Sequence, residues 1–204
     1  MIKNIVFDFG DVFINLDKKA PEQALAKMGI RQIDDEMVNW HNTYEKGLMS
    51  SEALTEHYLN KFPSLTALSF KQAWNSIILD FPQHRLDWII QLAKSKKYRL
   101  FLLSNTNDLH IEQVIKNMDA MRYSQFQNCF ERFYLSQQIH LRKPDLEIYD
   151  FVLQQDQLTA QETLFIDDTI LNTAAASSMG IHTWHLEPGK EDITQLFEIK
   201  KQLF

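Results

Sequence analysis

Carboxylate residues interrupt or end apolar segments at two widely separated points in the chain. Asp8 interrupts the first apolar segment, with Gly10 and Asp11 directly after it, and the adjacent Asp167 and Asp168 end another. A segment that is apolar at every position is typical of a strand buried on both faces, as in a parallel sheet covered by helices. Ligands bind at the carboxyl ends of such strands. We therefore expect these carboxylates to meet in one crevice.

Two further segments place polar residues where the same crevice is expected. Ser104 and Asn105 end a third apolar stretch, and Lys143 follows a fourth in a short loop. Carboxylates gathered at one edge repel each other unless a cation lies among them, and hard oxygen ligands of this kind favour magnesium together with a substrate phosphate. Ser104, Asn105 and Lys143 are then candidates to hold the phosphoryl oxygens, with Lys143 as a point charge. Taken singly, each residue is equally compatible with a cap, a turn or a solvated charge.

The elements that must position these residues alternate along the chain. Apolar runs predict strands at 4–9, 99–104, 132–136, 163–167 and 181–186. Apolar residues with helical spacing fill the gaps between them, which indicates right-handed βαβ units and a parallel sheet. The predicted fold class is α/β, with a Rossmann-like parallel sheet as its core.

The first gap is too long for a single crossover helix. Residues 17–85 contain several helix-like segments and no convincing strand. We interpret them as an all-α cap subdomain inserted after the first strand. The α/β core domain then comprises residues 1–16 and 86–204.

Composition and charge restrict the classes of partner. The 204 residues are 45% hydrophobic and 24% charged, with a formal net charge of -6, so no basic surface for nucleic acid or an anionic membrane is indicated. The single cysteine, Cys129, excludes an intrachain disulfide. No apolar run has the length of a membrane span and no leader segment is recognisable, so we expect a cytoplasmic protein. The oligomeric state stays open.

The order of the polar segments resembles a known family. Asp8, Ser104, Lys143 and the pair Asp167 and Asp168 match, in sequence order, the four motifs of the haloacid dehalogenase-like hydrolase superfamily. The segments Leu-Ser-Asn-Thr-Asn, Tyr-Leu-Ser-Gln and Arg-Lys-Pro-Asp-Leu-Glu-Ile-Tyr are similar to those of bacterial sugar-phosphate phosphatases, including the α-glucose-1-phosphate phosphatase branch.

The resemblance implies a mechanism and a metal site. Asp8 would attack phosphorus and form an aspartyl-phosphate, which water then hydrolyses. Magnesium would be held by Asp8, the backbone carbonyl of Gly10 and Asp168, with Asp167 close by. The insert would correspond to the helical cap of the family, and the substrate would be a small phosphorylated metabolite, with a hexose phosphate as the leading candidate.

One position departs from the family pattern. Most family phosphatases carry a second Asp two residues after the nucleophile, as acid and base, where this chain has Gly10. Loss of such a group costs roughly 10²–10⁴-fold for a poor leaving group. Asp11 is a candidate to take over part of this work; alternatively it only caps the turn. The departure also leaves two other functions open, a catalytically weak binding or regulatory protein and a metal-independent 2-haloacid dehalogenase.

A segment of the insert resembles the part of the family cap that faces the active site. It contains Trp40, His41, Tyr44 and Glu45, followed by Gly47. At helical spacing, Trp40 and Tyr44 are expected in the core of the bundle. His41 and Glu45 are candidate substrate-binding residues, although His41 could equally be solvated.

Overall fold

The computed structural model describes all of residues 1–204 and contains one parallel sheet. Its strand order is β3-β2-β1-β4-β5, with every neighbouring pair parallel. The strands are β1 (Asn4–Phe7), β2 (Arg99–Ser104), β3 (Arg132–Leu135), β4 (Thr163–Asp167) and β5 (His182–His185). The sheet confirms the predicted α/β fold class, and β1 lies at its centre.

Helices occupy the connections between the strands. In chain order they are α1 (Ala20–Lys27), α2 (Asp35–Glu45), α3 (Ser51–Lys61), α4 (Ala67–Asn75), α5 (Gln83–Ser95), α6 (Asp108–Met118), α7 (Ala120–Gln127), α8 (Ser136–Ile139), α9 (Leu146–Gln155), α10 (Ile170–Ser178) and α11 (Leu196–Ile199). Short 3₁₀ turns lie at Ala160–Glu162, Ile193–Gln195 and Lys201–Leu203. None of these helices has both the length and the apolar character that crossing a membrane requires.

The two faces of the sheet are buried under separate apolar clusters. Because side chains alternate along a strand, Ile5 and Phe7 of β1 join the cluster under α5, whereas Val6 joins the cluster under α9. The α5 side is rich in aromatic rings, and Phe9 stacks on Phe126 with ring centroids 5.1 Å apart. This packing fixes the backbone on both sides of Asp8, so the first candidate catalytic residue is held by the core.

Helices α1 to α4 form a bundle with its own apolar cluster. Trp40 and Tyr44 of α2 are buried in it, as predicted. The chain enters and leaves the bundle side by side: the Asn15 amide donates to the Asp80 carbonyl at 2.9 Å, and the Leu79 amide donates to the Asn15 carbonyl at 3.0 Å. The division into a cap at 17–85 and a core stays a prediction.

The bundle docks on the core through a close contact near α8. Gly47 has φ +64°, and a Cβ atom placed on it would lie 1.9 Å from the carbonyl oxygen of Gln137. Only glycine permits this approach. Nearby, the Lys46 ammonium lies 3.0 Å from an Asp145 carboxylate oxygen, and His140 Nδ1 lies 2.8 Å from the Lys46 carbonyl oxygen.

Candidate active site

The ends of β1 and β4 bring carboxylates together at the carboxyl edge of the sheet. Asp8 follows β1, and its amide donates to the Ile166 carbonyl of β4 at 2.8 Å. One carboxylate oxygen each from Asp8, Asp167 and Asp168 lies within 4.8 Å of the others. Asp8 and Asp167 are buried, and Asp168 is largely so. The expected convergence of acidic groups is therefore present in the fold.

Lys143 lies at the centre of this cluster. Its ammonium donates to Asp8 Oδ1 at 2.6 Å, to Asp167 Oδ2 at 2.7 Å and to the Leu103 carbonyl at 2.7 Å. The residue is 1% exposed, so all three N–H groups are satisfied inside the protein. Burial opposes the charge on Lys143, but the two carboxylates outweigh it and raise its pKa above the ordinary value. The ammonium thus links the candidate nucleophile to β4.

Asn105 holds Lys143 in place through the backbone. Its side-chain amide donates to the Lys143 carbonyl at 2.8 Å, and its side-chain oxygen accepts from the Lys143 amide at 2.8 Å. Ser104 is buried, and its hydroxyl has only a long 3.5 Å contact with the Asn105 carbonyl. Ser104 therefore keeps hydrogen-bonding capacity for a ligand, whereas the Asn105 side chain is already engaged by the protein.

Asp167 has no exposed surface and is saturated with hydrogen bonds. Besides Lys143, it accepts from the Thr169 amide at 2.8 Å and from the Asn172 side chain at 3.1 Å to both oxygens. This carboxylate is fixed by the loop into α10. Its contacts suit it to orienting Lys143.

The cluster holds more negative charge than Lys143 can balance. Burial raises the pKa of Asp8 to about 7; Lys143 opposes the rise, and Asp167 and Asp168 add to it. Burial likewise raises the pKa of Asp168, against the effect of Lys18. Nucleophilic attack requires the ionised carboxylate, and a further cation at this edge would favour that form of Asp8.

In the loop after β1, the Asp11 carboxylate contacts the Leu16 amide and Lys18. Asp11 has φ +53°, its Oδ1 accepts from the Leu16 amide at 3.0 Å, and its Oδ2 lies 3.0 Å from the Lys18 ammonium. The same ammonium contacts Asp168. Asp11 does not line the cavity at the strand ends, whereas Gly10 does. These contacts match the turn-capping alternative for Asp11.

Two cavities adjoin at Lys18 and Glu45. The strand-end cavity, of about 460 Å³, is lined by Asp8, Gly10, Asn105, Lys143 and Asp168 among others. A second cavity of about 390 Å³, here called the cap chamber, lies between the bundle and α6. Lys18 and Glu45 line both cavities. A ligand with a phosphate at the strand ends can therefore extend into the cap chamber.

The cap chamber is lined by imidazole, indole and aliphatic groups together with Lys18, Glu22 and Glu45. His41 Nε2 lies 2.6 Å from the Tyr58 hydroxyl, and burial lowers the His41 pKa to about 4. His110 accepts from Asn107 at 3.0 Å through Nδ1, and burial lowers its pKa to about 4 as well. Both rings pack against Trp74. At neutral pH the chamber therefore offers uncharged imidazoles.

Glu45, which lines both cavities, forms an ion pair with Arg142. Its Oε2 accepts from Arg142 Nε at 3.2 Å and from Nη2 at 2.9 Å, which joins α2 to the loop that carries Lys143. Sequence reasoning missed Arg142, although it precedes Lys143 directly, and it also missed Lys18, Trp74 and His110. Lys18 follows the first motif closely, but nothing in its local sequence indicates contact with Asp168, 150 residues away.

The donors at this edge suit a hard divalent cation. Asp8, Gly10 and Asp168 line the strand-end cavity and can present carboxylate or carbonyl oxygens to it. Magnesium takes one or two carboxylates and keeps other positions for water or phosphate. Burial first, and then the neighbouring Asp167 and Asp168 carboxylates, raise the Asp8 pKa, and a cation at this edge would oppose both effects.

Comparisons with known proteins give a consistent assignment. The model of the haloacid dehalogenase-like hydrolase family matches residues 5–185. The chain is 32% identical over 197 residues to a D-ribitol-5-phosphate phosphatase of Bacteroides thetaiotaomicron, covering 94% of this chain and 95% of that protein.

Solved structures agree. A magnesium complex of a haloacid dehalogenase family enzyme from Bacteroides thetaiotaomicron is 34% identical, with a TM-score of 0.84 over 96% of this chain and 98% of that one. A wild-type complex of such an enzyme with magnesium and inorganic phosphate, from the same organism, is 32% identical, with a TM-score of 0.82 over 97% and 100%. The chain therefore belongs to the haloacid dehalogenase-like hydrolase family.

Proposed function

We propose that this protein is a magnesium-dependent phosphatase that hydrolyses a small phosphate monoester through an aspartyl-phosphate on Asp8. The observation that carries the proposal is the link from Asp8 to Asp167 through one buried ammonium, at 2.6 and 2.7 Å, beside an open cavity. Support comes from the similar enzymes, one named a phosphatase and one crystallised with magnesium and phosphate.

Each residue of the site has a separate role in the proposed reaction. An Asp8 carboxylate oxygen attacks phosphorus, the bond to the leaving oxygen breaks, and water later hydrolyses the acyl phosphate. Lys143 holds Asp8 in position and contributes a fixed positive charge, and Ser104 is available to donate to a phosphoryl oxygen. Asp8, Gly10 and Asp168 would hold magnesium, which when bound offsets the carboxylates and polarises the phosphoryl group.

The proposed substrate class rests on the two adjoining cavities. A phosphate at the strand ends leaves the carbon chain to lie in the cap chamber, whose volume of about 390 Å³ suits a small metabolite. The relative that acts on D-ribitol 5-phosphate favours a sugar or alditol phosphate. We assign His41 and Glu45 to contacts with the carbon chain, because both line the chamber.

The assay of p-nitrophenyl phosphate with and without magnesium tests this function. We expect turnover that requires the metal and that is lost in an Asp8→Asn variant. A panel of sugar and alditol phosphates then identifies the preferred substrate. Release of halide from a 2-haloacid without metal would instead establish a dehalogenase, and magnesium binding without turnover of any phosphate ester would establish a binding protein.

A further inference from the structure

Lys18 occupies a position that the proposed reaction does not yet use. It lies in the segment between β1 and helix α1. Its ammonium contacts both Asp168 and Asp11. Its side chain is 53% exposed into open space, and it lines the strand-end cavity and the cap chamber alike. It is the only cationic side chain common to the two cavities, since Arg142 and Lys143 line the first alone.

The contact with Asp168 places Lys18 in competition with a divalent cation. The ammonium contacts Asp168 Oδ2, and Asp168 lines the cavity where a metal ion would be held. Two cations on one carboxylate repel each other, and a part-exposed ion pair is worth only about 1 kcal/mol or less. A bound metal ion would therefore release Lys18 from Asp168, while the Asp11 contact at 3.0 Å keeps the side chain near the cavity.

The junction of the cavities is where the leaving oxygen of the substrate must lie. With phosphorus at the strand ends and the carbon chain in the chamber, the bridging oxygen falls between them, beside Lys18 and Glu45. Glu45 is already held by Arg142 at 2.9 Å. Gly10 has no side chain to offer, and the Asp11 carboxylate is held by the Leu16 amide. Lys18 is thus the group that can reach this oxygen once a metal ion has displaced it from Asp168.

We infer that Lys18 is a catalytic residue that acts on the leaving group. When the metal site fills, the Lys18 ammonium moves away from Asp168 and donates an N–H to the bridging oxygen of the substrate. The inference rests on the proposed phosphatase function. As the P–O bond breaks, its electron pair stays on the leaving oxygen, which takes its proton from solvent, and Lys18 keeps its own. The ammonium stabilises the negative charge that develops on that oxygen.

A comparison of two substrates in a Lys18→Met variant tests this role. An alkyl phosphate such as D-ribitol 5-phosphate has a poor leaving group, so we expect kcat to fall by roughly 10²-fold, the usual effect of one lost charge-stabilising donor. p-Nitrophenyl phosphate needs little help, and its loss of kcat should be at least about ten times smaller. Lys18→Arg should recover part of the alkyl activity, because it keeps the charge. Lys19→Met is the matched control: Lys19 is exposed and lines neither cavity, so both activities should stay unchanged.

Magnesium binding to the substrate-free protein provides a second readout. Calorimetry should show several-fold tighter binding to Lys18→Met than to the parent, because Asp168 has lost its competing ammonium. Equal losses of kcat on both substrates, or weaker magnesium binding, would overturn the assignment and indicate a structural role. Absence of magnesium-dependent hydrolysis in the parent would overturn the phosphatase function as well, so the two failures are distinguishable.

Discussion

The strand-end cavity and the cap chamber are built on opposite electrostatic principles. In the strand-end cavity, charged groups are fixed by short hydrogen bonds, and Lys143 alone makes three of 2.6 to 2.7 Å. In the chamber, burial holds His41 and His110 uncharged, with the pKa of each lowered to about 4. Under the proposed function this difference separates two tasks: fixed charges at the strand ends act on phosphorus, and the chamber, with uncharged imidazoles beside Lys18, Glu22 and Glu45, selects the organic part.

The largest effect is expected when the buried cation of the strand-end cavity is removed. Lys143→Met leaves Asp8 and Asp167 buried without their cation, so the free energy of unfolding should fall by about 3–5 kcal/mol in metal-free protein. Turnover of p-nitrophenyl phosphate should fall by at least about 10²–10³-fold. Urea unfolding and steady-state kinetics measure both. Lys116→Met, on the exposed face of α6, is the control; an equal loss there would show that the buried ion pairs are unimportant.

A medium effect is expected at the contact between the helical bundle and α8, which holds the two cavities side by side. Gly47→Ala forces a side chain against the Gln137 carbonyl at positive φ, which should lower the unfolding free energy by about 1–3 kcal/mol and loosen the docking of the cap. Gly29→Ala is the matched control, since Gly29 has φ +93° with no atom within 4 Å of the added carbon. Thermal unfolding of the two variants isolates the contact. Equal destabilisation would mean that the Gln137 contact contributes nothing beyond backbone strain.

Substitutions in the cap chamber should change the selectivity among substrates. His41→Asn and Glu45→Gln should change the ratio of kcat/KM among sugar and alditol phosphates by about tenfold, because a chamber wall discriminates by a few hydrogen bonds and contacts. Hydrolysis of p-nitrophenyl phosphate should change much less. A metabolite panel run on parent and variants makes the comparison, and identical profiles would remove both residues from substrate recognition.

The smallest effect is expected at Asp11. Its carboxylate contacts the Leu16 amide and Lys18, so Asp11→Asn should reduce kcat by less than about tenfold and leave the pH profile in place, below the roughly 10²–10⁴-fold of a lost general acid. A pH–rate profile of the variant decides this. A loss of one limb of the profile would instead establish Asp11 as the acid or base.

The sequence predicted those parts of the site that local pattern controls. Runs buried on both faces place Asp8 and Asp167 at strand ends, and the parallel topology then brings those ends together. Partners supplied by distant segments could not be predicted in this way. Lys18 meets Asp168 only because the segment between β1 and α1 passes over the end of β4, and the saturation of Asp167 depends on Asn172 turning inward from α10.

The burial of Asp8 beside Asp167 and Asp168 also produces a pH dependence of stability. A folded pKa of about 7 for Asp8 lies above the ordinary value of 3.8, so the folded state binds this proton more tightly than the unfolded chain. The resulting stability is fully present below about pH 4 and is lost as pH rises through 7. Unfolding of metal-free parent and Asp8→Asn from pH 4 to 8 should show a larger loss in the parent, because Asp168, whose pKa burial also raises, still titrates in the variant; parallel curves would contradict it.

The ionisation of Asp8 with and without magnesium tests the central claim most directly. Carbon-13 NMR of protein labelled at the aspartate carboxyl carbons, with Asp8→Asn to assign the signal, reports this pKa. The structure predicts a value of about 7 in metal-free protein and a value well below that once magnesium is added. A carboxyl that titrates near 4 in both states, or that does not respond to magnesium, would contradict the account.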